Sequence, residues 1–220
     1  VFRLLATLET RGYIEQDKES GHYPLGLKTF EVANVFLHHL GMRRQARPIL
    51  EELARRCNET AYLAVLDGPE VFYILMHETS HPVRVVSRLG RRLPAYCTAS
   101  GKAQLAFESL DRLDEVFRDY PFKRFTENTI SQYEDLLVDL KEIAGKGYAV
   151  DNEECEYGVT CLAAPIRDYT HRVIAAIVLS GPTPRFTPER IETELVRLVK
   201  EAAARVSQRL GHEFAMEAVA

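Results

Sequence analysis

Apolar residues recur at helical spacing from the first position: Val1, Leu4, Leu5 and Leu8 share one face, and Arg3, Thr7 and Thr10 take the other. Gly12 ends the pattern as a left-handed cap. Tyr13-Ile14, a polar turn from Asp17 to Gly21 and His22-Tyr23-Pro24-Leu25 then predict a short hairpin. Helix, strand, turn and strand in this order predict the back half of a winged helix. The helix has no N-terminal cap and the chain opens on Val1, which predicts that this sequence is a fragment starting downstream of the true N-terminus. Residues 27–41 are helical in period yet apolar around most of the circumference: Leu27, Phe30, Val32, Ala33, Val35, Phe36, Leu37 and Leu40. Such a helix needs cover on two sides, from its own domain and from a second copy of the chain. A further helix follows, with Pro48 in its first turn and Ile49, Leu50, Leu53, Ala54 and Cys57 facing inward.

From residue 60 the period changes to two. Tyr62, Ala64 and Leu66 alternate with Leu63 and Val65, Asp67-Gly68-Pro69 turns the chain, and Val71 to Met76 returns as a second strand. The pattern predicts a third strand at Val83 to Ser87, a helix at Ser100 to Phe107, and a longer helix at Ile130 to Lys146 with Leu136, Leu137, Leu140 and Ile143 inward. A strand from Gly147 to Asp151 follows, then strands at Thr160 to Ile166 and Arg172 to Leu179 joined by the turn Asp168 to His171. Thr187-Pro188-Glu189 opens a final helix that runs to Leu210. The expected class is α+β, an antiparallel sheet flanked by helices.

Composition narrows the function classes without choosing among them. The chain has 220 residues, 46% hydrophobic and 27% charged, enough for one or two domains with a real core and unlike a disordered chain. A net charge of −4 requires any nucleic-acid contact to come from a local basic surface. Cys57, Cys97, Cys155 and Cys161 contain no C-x2-C pair, and the histidines show no metal-binding helical spacing, so neither a metal nor a cofactor is expected. The longest apolar run, Val173 to Leu179, is far short of the roughly 20 residues that span a bilayer, and no signal peptide opens the sequence. A cytoplasmic protein with no membrane partner is expected.

Several long motifs occur in one order: RLLATLETRGYI (3–14), YPLG (23–26), GRRLPAYCTASGKAQLAF (90–107), FTENTI (125–130), KGYAVDNEECEYGVTCLAAPI (146–166) and VLSGP (178–182). Together they resemble the IclR family of bacterial transcription regulators. The resemblance implies a winged helix-turn-helix, truncated here, then a linker helix and a C-terminal effector-binding domain similar to GAF and profilin-like folds. It divides the chain into a DNA-binding remnant (1–26), a linker and dimerisation helix (27–41), an effector domain (42–211) and a tail (212–220). The implied partners are operator DNA, a small effector, and further copies of the chain as a homodimer or a dimer of dimers.

In winged helix-turn-helix proteins the recognition helix enters the major groove by its N-terminal end and the wing meets the backbone or minor groove. The resemblance therefore makes Arg3 and Thr7 on the polar helix face, and Lys18 and His22 in the wing, candidates for DNA contact. The alternative is a solvated surface, since Arg3, Arg11, Lys18 and Lys28 are balanced by Glu9, Glu15, Asp17 and Glu19.

Tyr96 to Ala103 passes from an extended segment into a helix, with small residues where the backbone turns. Free amides at a helix start favour an anion there, and small side chains let a ligand approach; the alternative is that they pack the helix onto the sheet. Lys102 reads as a surface lysine. The resemblance places effector contacts at Ala99, Ser100 and Gly101, at the carboxylate Asp151, and at Val159, Cys161 and Ser180. Val178 stands where some family members carry a serine, which disfavours a very small polar acid such as glyoxylate and favours a larger or more apolar one. Leu89 and Leu93 are candidates for the apolar wall of the site, or for core.

A thiol enzyme is the less favoured alternative. A cysteine nucleophile needs a neighbouring base, and His22, His38, His39, His77, His81, His171 and His212 fall in wing, linker, turns and tail. Cys97 is the nearest candidate, through a pKa lowered at the helix start. A sensor module acting through protein contacts alone is a further alternative. The sequence favours a regulator, not an enzyme, that binds DNA and responds to a small organic acid.

Overall fold

The computed structural model describes residues 2–18, 20–31, 41–85 and 88–212. The chain forms two compact units, Val1–Arg44 and Gln45–Ala220.

In the first unit, α1 (Phe2–Thr10) runs into Gly12, whose φ of 74° turns the chain back as its left-handed position requires. The predicted hairpin forms. Ile14 bridges Leu25, the Glu15 amide donates to Pro24 O at 3.0 Å, and the Asp17 amide donates to His22 O at 2.9 Å. Gly26 crosses against Gly12, where a Cβ would stand 2.3 Å from the Gly12 carbonyl oxygen, so glycine is the residue that fits. Phe2 and Leu4 are 85% and 67% exposed while Leu5 and Leu8 are half-buried, so the apolar face of α1 is only partly covered within this unit. Residues 27–31 continue as helix. The rest of the apolar stretch, with Val32, Ala33, Val35, Phe36, Leu37 and Leu40, lies outside the described residues, as does Val1.

The second unit is built on one six-stranded antiparallel sheet in the order β3-β2-β1-β6-β5-β4. Its strands are β1 (Thr60–Asp67), β2 (Glu70–His77), β3 (Arg92–Pro94), β4 (Ala149–Asn152), β5 (Val159–Arg167) and β6 (Val173–Pro182). One face carries α3 (Ala99–Leu105), with α4 (Leu110–Phe117) and α5 (Tyr133–Lys146) around it. The other carries the C-terminal helix: α6 (Pro188–Arg190), a π-helical turn (Ile191–Leu195) and α7 (Val196–Arg209). Helix α2 (Met42–Cys57) lies beside α7, and Arg205 grips Glu52 through both carboxylate oxygens at 2.8 and 2.9 Å.

Four expectations need correction. The predicted strand at Val83 to Ser87 is irregular over 83–85, and 86–87 lie outside the described residues; the third strand is Arg92–Pro94 instead. Pro48 sits inside α2, because the helix already begins at Met42. It is tolerated there because both Pro48 and Arg44, whose carbonyl loses its helical donor, face solvent. Helix α4 was not predicted, although Ser109 caps it by accepting from the Arg112 amide and Leu113 and Phe117 bury one face. The final helix is interrupted by the π-helical turn.

A bulge gives the site its shape. Leu63 pairs with Leu75, but Ala64 pairs with Tyr73, so β2 carries one extra residue at this point. Side chains alternate along a strand, and the extra residue restores Tyr73 to the same face as Met76 and Tyr62.

Candidate functional site

The register aligns a polar row across four strands. Thr60 pairs with Ser180, Ser180 with Cys161, and Cys161 with Asp151. Directly paired residues share a face, so these four side chains line up on the α3 side of the sheet, and all are buried. The next row, Tyr62, Val178, Ala163 and Ala149, is apolar apart from the tyrosine hydroxyl.

Hydrogen bonds tie members of the row to one another and to the surrounding segments. The Cys161 thiol donates to Ser180 Oγ at 3.2 Å. Across from the sheet, Ser100 Oγ on α3 meets the Tyr73 hydroxyl at 3.1 Å. Asp151 Oδ1 accepts from the Glu154 amide at 2.8 Å and, more weakly, from the Cys155 amide at 3.4 Å, which folds the 152–156 loop over the end of β4. Burial is the dominant influence on Asp151 and raises its carboxyl to about 6, against the opposing pull of those amides and of Lys102 and Arg88. Burial likewise pushes the Cys161 thiol up to about 12, so it acts as a neutral donor.

Two cations serve this cluster. Arg88 is buried, and its guanidinium donates to Cys161 Sγ at 3.8 Å and to Glu156 at 3.2 Å. Gly90, with φ of 74°, makes the turn that holds it: the Gly90 amide donates to Tyr73 O at 2.9 Å and the Arg91 amide to Arg88 O. Lys102 is also buried, contrary to its reading as a surface lysine. Its ammonium pairs with Glu154 at 2.6 Å and Asp139 at 2.9 Å, tying α3 to α5 and to the loop. Burial raises Glu154 to about 7, with Lys102 opposing.

The FTENTI motif secures the same loop. Thr129 Oγ1 accepts from the Phe125 and Thr126 amides and donates to Glu154 O at 2.6 Å, and Thr126 Oγ1 donates to Glu153 O at 2.6 Å.

Of the residues singled out from sequence, Ser100, Asp151, Cys161 and Ser180 are brought together, with Val178 adjoining and Ala99 buried at the start of α3. Val159 and Leu93 are half-buried against the same core. Gly101 has the packing role: a Cβ there would stand 2.2 Å from Ala95 O, and its amide is capped by Thr98 Oγ1. Leu89 is 48% exposed, next to the Gly90 turn. Cys97 does not have the lowered pKa expected of a nucleophile. Its hydrogen bond with Cys155, together with burial, drives it strongly upward, while Cys155 is lowered. Sequence reasoning missed Tyr62, Tyr73 and Arg88. The alternation marked Tyr62 only as a strand residue, the bulge hid Tyr73, and the sole signal for Arg88 is its place one residue before the Leu-Gly turn.

In the first unit Arg3, Thr7, Lys18 and His22 are all exposed. The Thr7 hydroxyl donates to Arg3 O at 2.8 Å, within its own helix. Among the described residues no group of three metal-ligating side chains converges, and no helix is long and apolar enough to cross a membrane.

A family model described as Bacterial transcriptional regulator IclR C-terminal matches residues 34–208. The chain belongs to the IclR family. It is 39% identical over 212 residues to the HTH-type transcriptional regulator KdgR of Escherichia coli K12, covering 96% of this chain and 80% of that relative. Among solved structures, the IclR of Thermotoga maritima is similar with a TM-score of 0.79 and 36% identity, over 96% of this chain and 85% of that one. An IclR homolog from Microbacterium hydrocarbonoxydans complexed with 4-hydroxybenzoate is similar with a TM-score of 0.78 and 27% identity, over 94% and 83% of the two chains. The curated relatives of this IclR-family chain are transcriptional regulators and repressors, so its role is regulation of transcription rather than catalysis.

Proposed function

We propose that this IclR-family regulator senses a small organic acid through the polar row beneath α3. The observation that carries the reading is that Asp151, Cys161, Ser180, Ser100 and Tyr73 converge with buried Arg88 against the apolar core. A buried polar group is costly unless it is paired, so a concentration of donors and acceptors here suits a ligand with both a charge and hydrogen-bonding groups. Val178 and Tyr62 beside the row supply apolar surface for a carbon body larger than that of glyoxylate. The homolog bound to 4-hydroxybenzoate, itself a carboxylic acid, supports the same class.

The first unit fits the remnant of a winged helix-turn-helix, with α1 as the rear of the recognition helix, the Ile14–Leu25 hairpin as the wing, and Arg3, Thr7, Lys18 and His22 on the DNA side. The segment 27–41 would pair two chains, and Phe30, 66% exposed in its described part, is an apolar side chain available to that contact. The protein then works as a homodimer or a dimer of dimers. The direct test is thermal stabilisation by a panel of aliphatic, hydroxylated and aromatic carboxylates. A midpoint that rises with concentration for at least one acid is expected, and a midpoint that no acid of the panel raises overturns the reading.

A further inference from the structure

Arg88 is an unusual cation for its surroundings. Its side chain is only 6% exposed, yet its carboxylate partner, Glu156, is 63% exposed and stands 3.2 Å away on the loop after β4. Its contact with the Cys161 thiol is long, at 3.8 Å. The buried lysine of the same domain is treated differently, with Glu154 and Asp139 at 2.6 and 2.9 Å, neither as exposed as Glu156. Both carboxylates of the Lys102 cluster are thus more buried than the one bonded to Arg88, which can return to water while Arg88 keeps the Tyr73 hydroxyl and the Asp151 carboxylate nearby. A guanidinium presents five N–H donors in a planar fork suited to a carboxylate. Close by, the Tyr62 hydroxyl is buried and faces the Arg88 backbone without a well-formed hydrogen bond among the described residues. A buried hydroxyl without such a bond carries a desolvation cost that a ligand oxygen would remove.

We propose that Arg88 is the residue that receives the effector's carboxylate, that Glu156 occupies this place in the unliganded protein, and that binding exchanges one carboxylate for the other. The assignment rests on the organic-acid reading above and makes it specific. The acid group meets Arg88 beside Cys161, and the remaining ligand oxygens meet Tyr62, Ser100, Ser180 and Asp151. Glu156 competes with every acid for the same donors, so the site discriminates against weak carboxylate ligands that cannot also engage the hydroxyls. The exchange leaves Arg88 paired with a carboxylate before and after binding, so the buried guanidinium is not left without a counter-charge.

The test compares wild type, Arg88→Gln and Glu156→Gln by calorimetry with gluconate, pyruvate and 4-hydroxybenzoate, each set against its uncharged amide, with thermal melts as a check on folding. Wild type is expected to prefer at least one acid to its amide. Arg88→Gln should lose about 10- to 100-fold in affinity for that acid, the range for a charged hydrogen bond, with amide binding little changed. Glu156→Gln should bind the acid more tightly, because the resident competitor is gone. Arg88→Lys should recover part of the lost affinity, since it restores charge without the fork. Undiminished acid-over-amide preference in a folded Arg88→Gln overturns the assignment and leaves the organic-acid reading standing. If no acid binds wild type or Glu156→Gln, that reading falls and the assignment with it.

Discussion

Asp151 is faced by Arg88 and Lys102, by Glu154, and by the thiols of Cys97, Cys155 and Cys161. Burial outweighs the two cations, so the carboxyl titrates near 6 instead of its ordinary value of 3.8, and Glu154 near 7 instead of 4.5. The folded protein thus holds these protons at pH values where the unfolded chain has released them. Their contribution to stability is fully present below about pH 4 and is lost as pH rises through about 6 to 7. Asp151→Asn keeps an oxygen acceptor for the Glu154 amide and has no proton to lose. Its stability relative to wild type should therefore increase between pH 4.5 and pH 8, by roughly 1–3 kcal/mol. Urea midpoints across that range give the answer, and a difference independent of pH would show that Asp151 is not shifted upward. At this scale the sequence was partly legible. Asp151, Cys161 and Ser180 lie in motifs, but Lys102 is one of 28 basic residues, and nothing local distinguishes a buried lysine from a solvated one. Its carboxylate partners are Asp139 and Glu154, both distant in sequence.

Elements were legible where a period ran long enough to be counted. The β1–β2 hairpin, the β5–β6 hairpin and α5 form within a few residues of their predicted limits, because the strands are long apolar runs buried on both faces and the helix repeats one buried face. Short or cross-strand features were not. Strand β3 has three residues, and the bulge opposite Leu63 and Ala64 exists only in the pairing of two strands. The start of α3 shows how tight local packing positions Ser100. Gly101→Ala would drive a methyl group against the Ala95 backbone, which cannot swing aside as a side chain can. The expected loss is about 1–3 kcal/mol, from overpacking. In contrast, Thr129→Val keeps the shape and removes the hydroxyl that accepts two amides and donates to Glu154 O. That change should cost about 1–3 kcal/mol and accelerate hydrogen exchange in the 152–156 loop before it does so in the sheet. Uniform acceleration across the whole domain would show that the threonine does not act on the loop.

For the whole molecule, regulation requires that a ligand in the second unit change the DNA affinity of the protein, and this holds only if the ligand binds two states of the protein differently. The requirement is reciprocal. If a saturating acid changes operator affinity by some factor, operator DNA must change the affinity for that acid by the same factor. The net charge of −4 works against DNA binding at long range, so attraction needs local cationic residues, and on the proposed reading exposed Arg3 and Lys18 make phosphate contacts. Each such contact contributes close to one unit of the slope of log affinity against log salt, and Arg3→Ala should reduce that slope by about one while weakening binding to all sequences alike. Fluorescence anisotropy with labelled operator, run as a salt series with and without the acid, measures both quantities on one sample. Equal factors in the two directions, with the acid changing affinity but not the salt slope, are the expected outcome. That pattern would mean that the effector shifts the population competent to bind, while the phosphate contacts themselves stay the same. A slope that changes with the acid would instead place the effector's action on the contacts, and an acid that binds without changing operator affinity would remove it as the regulatory signal.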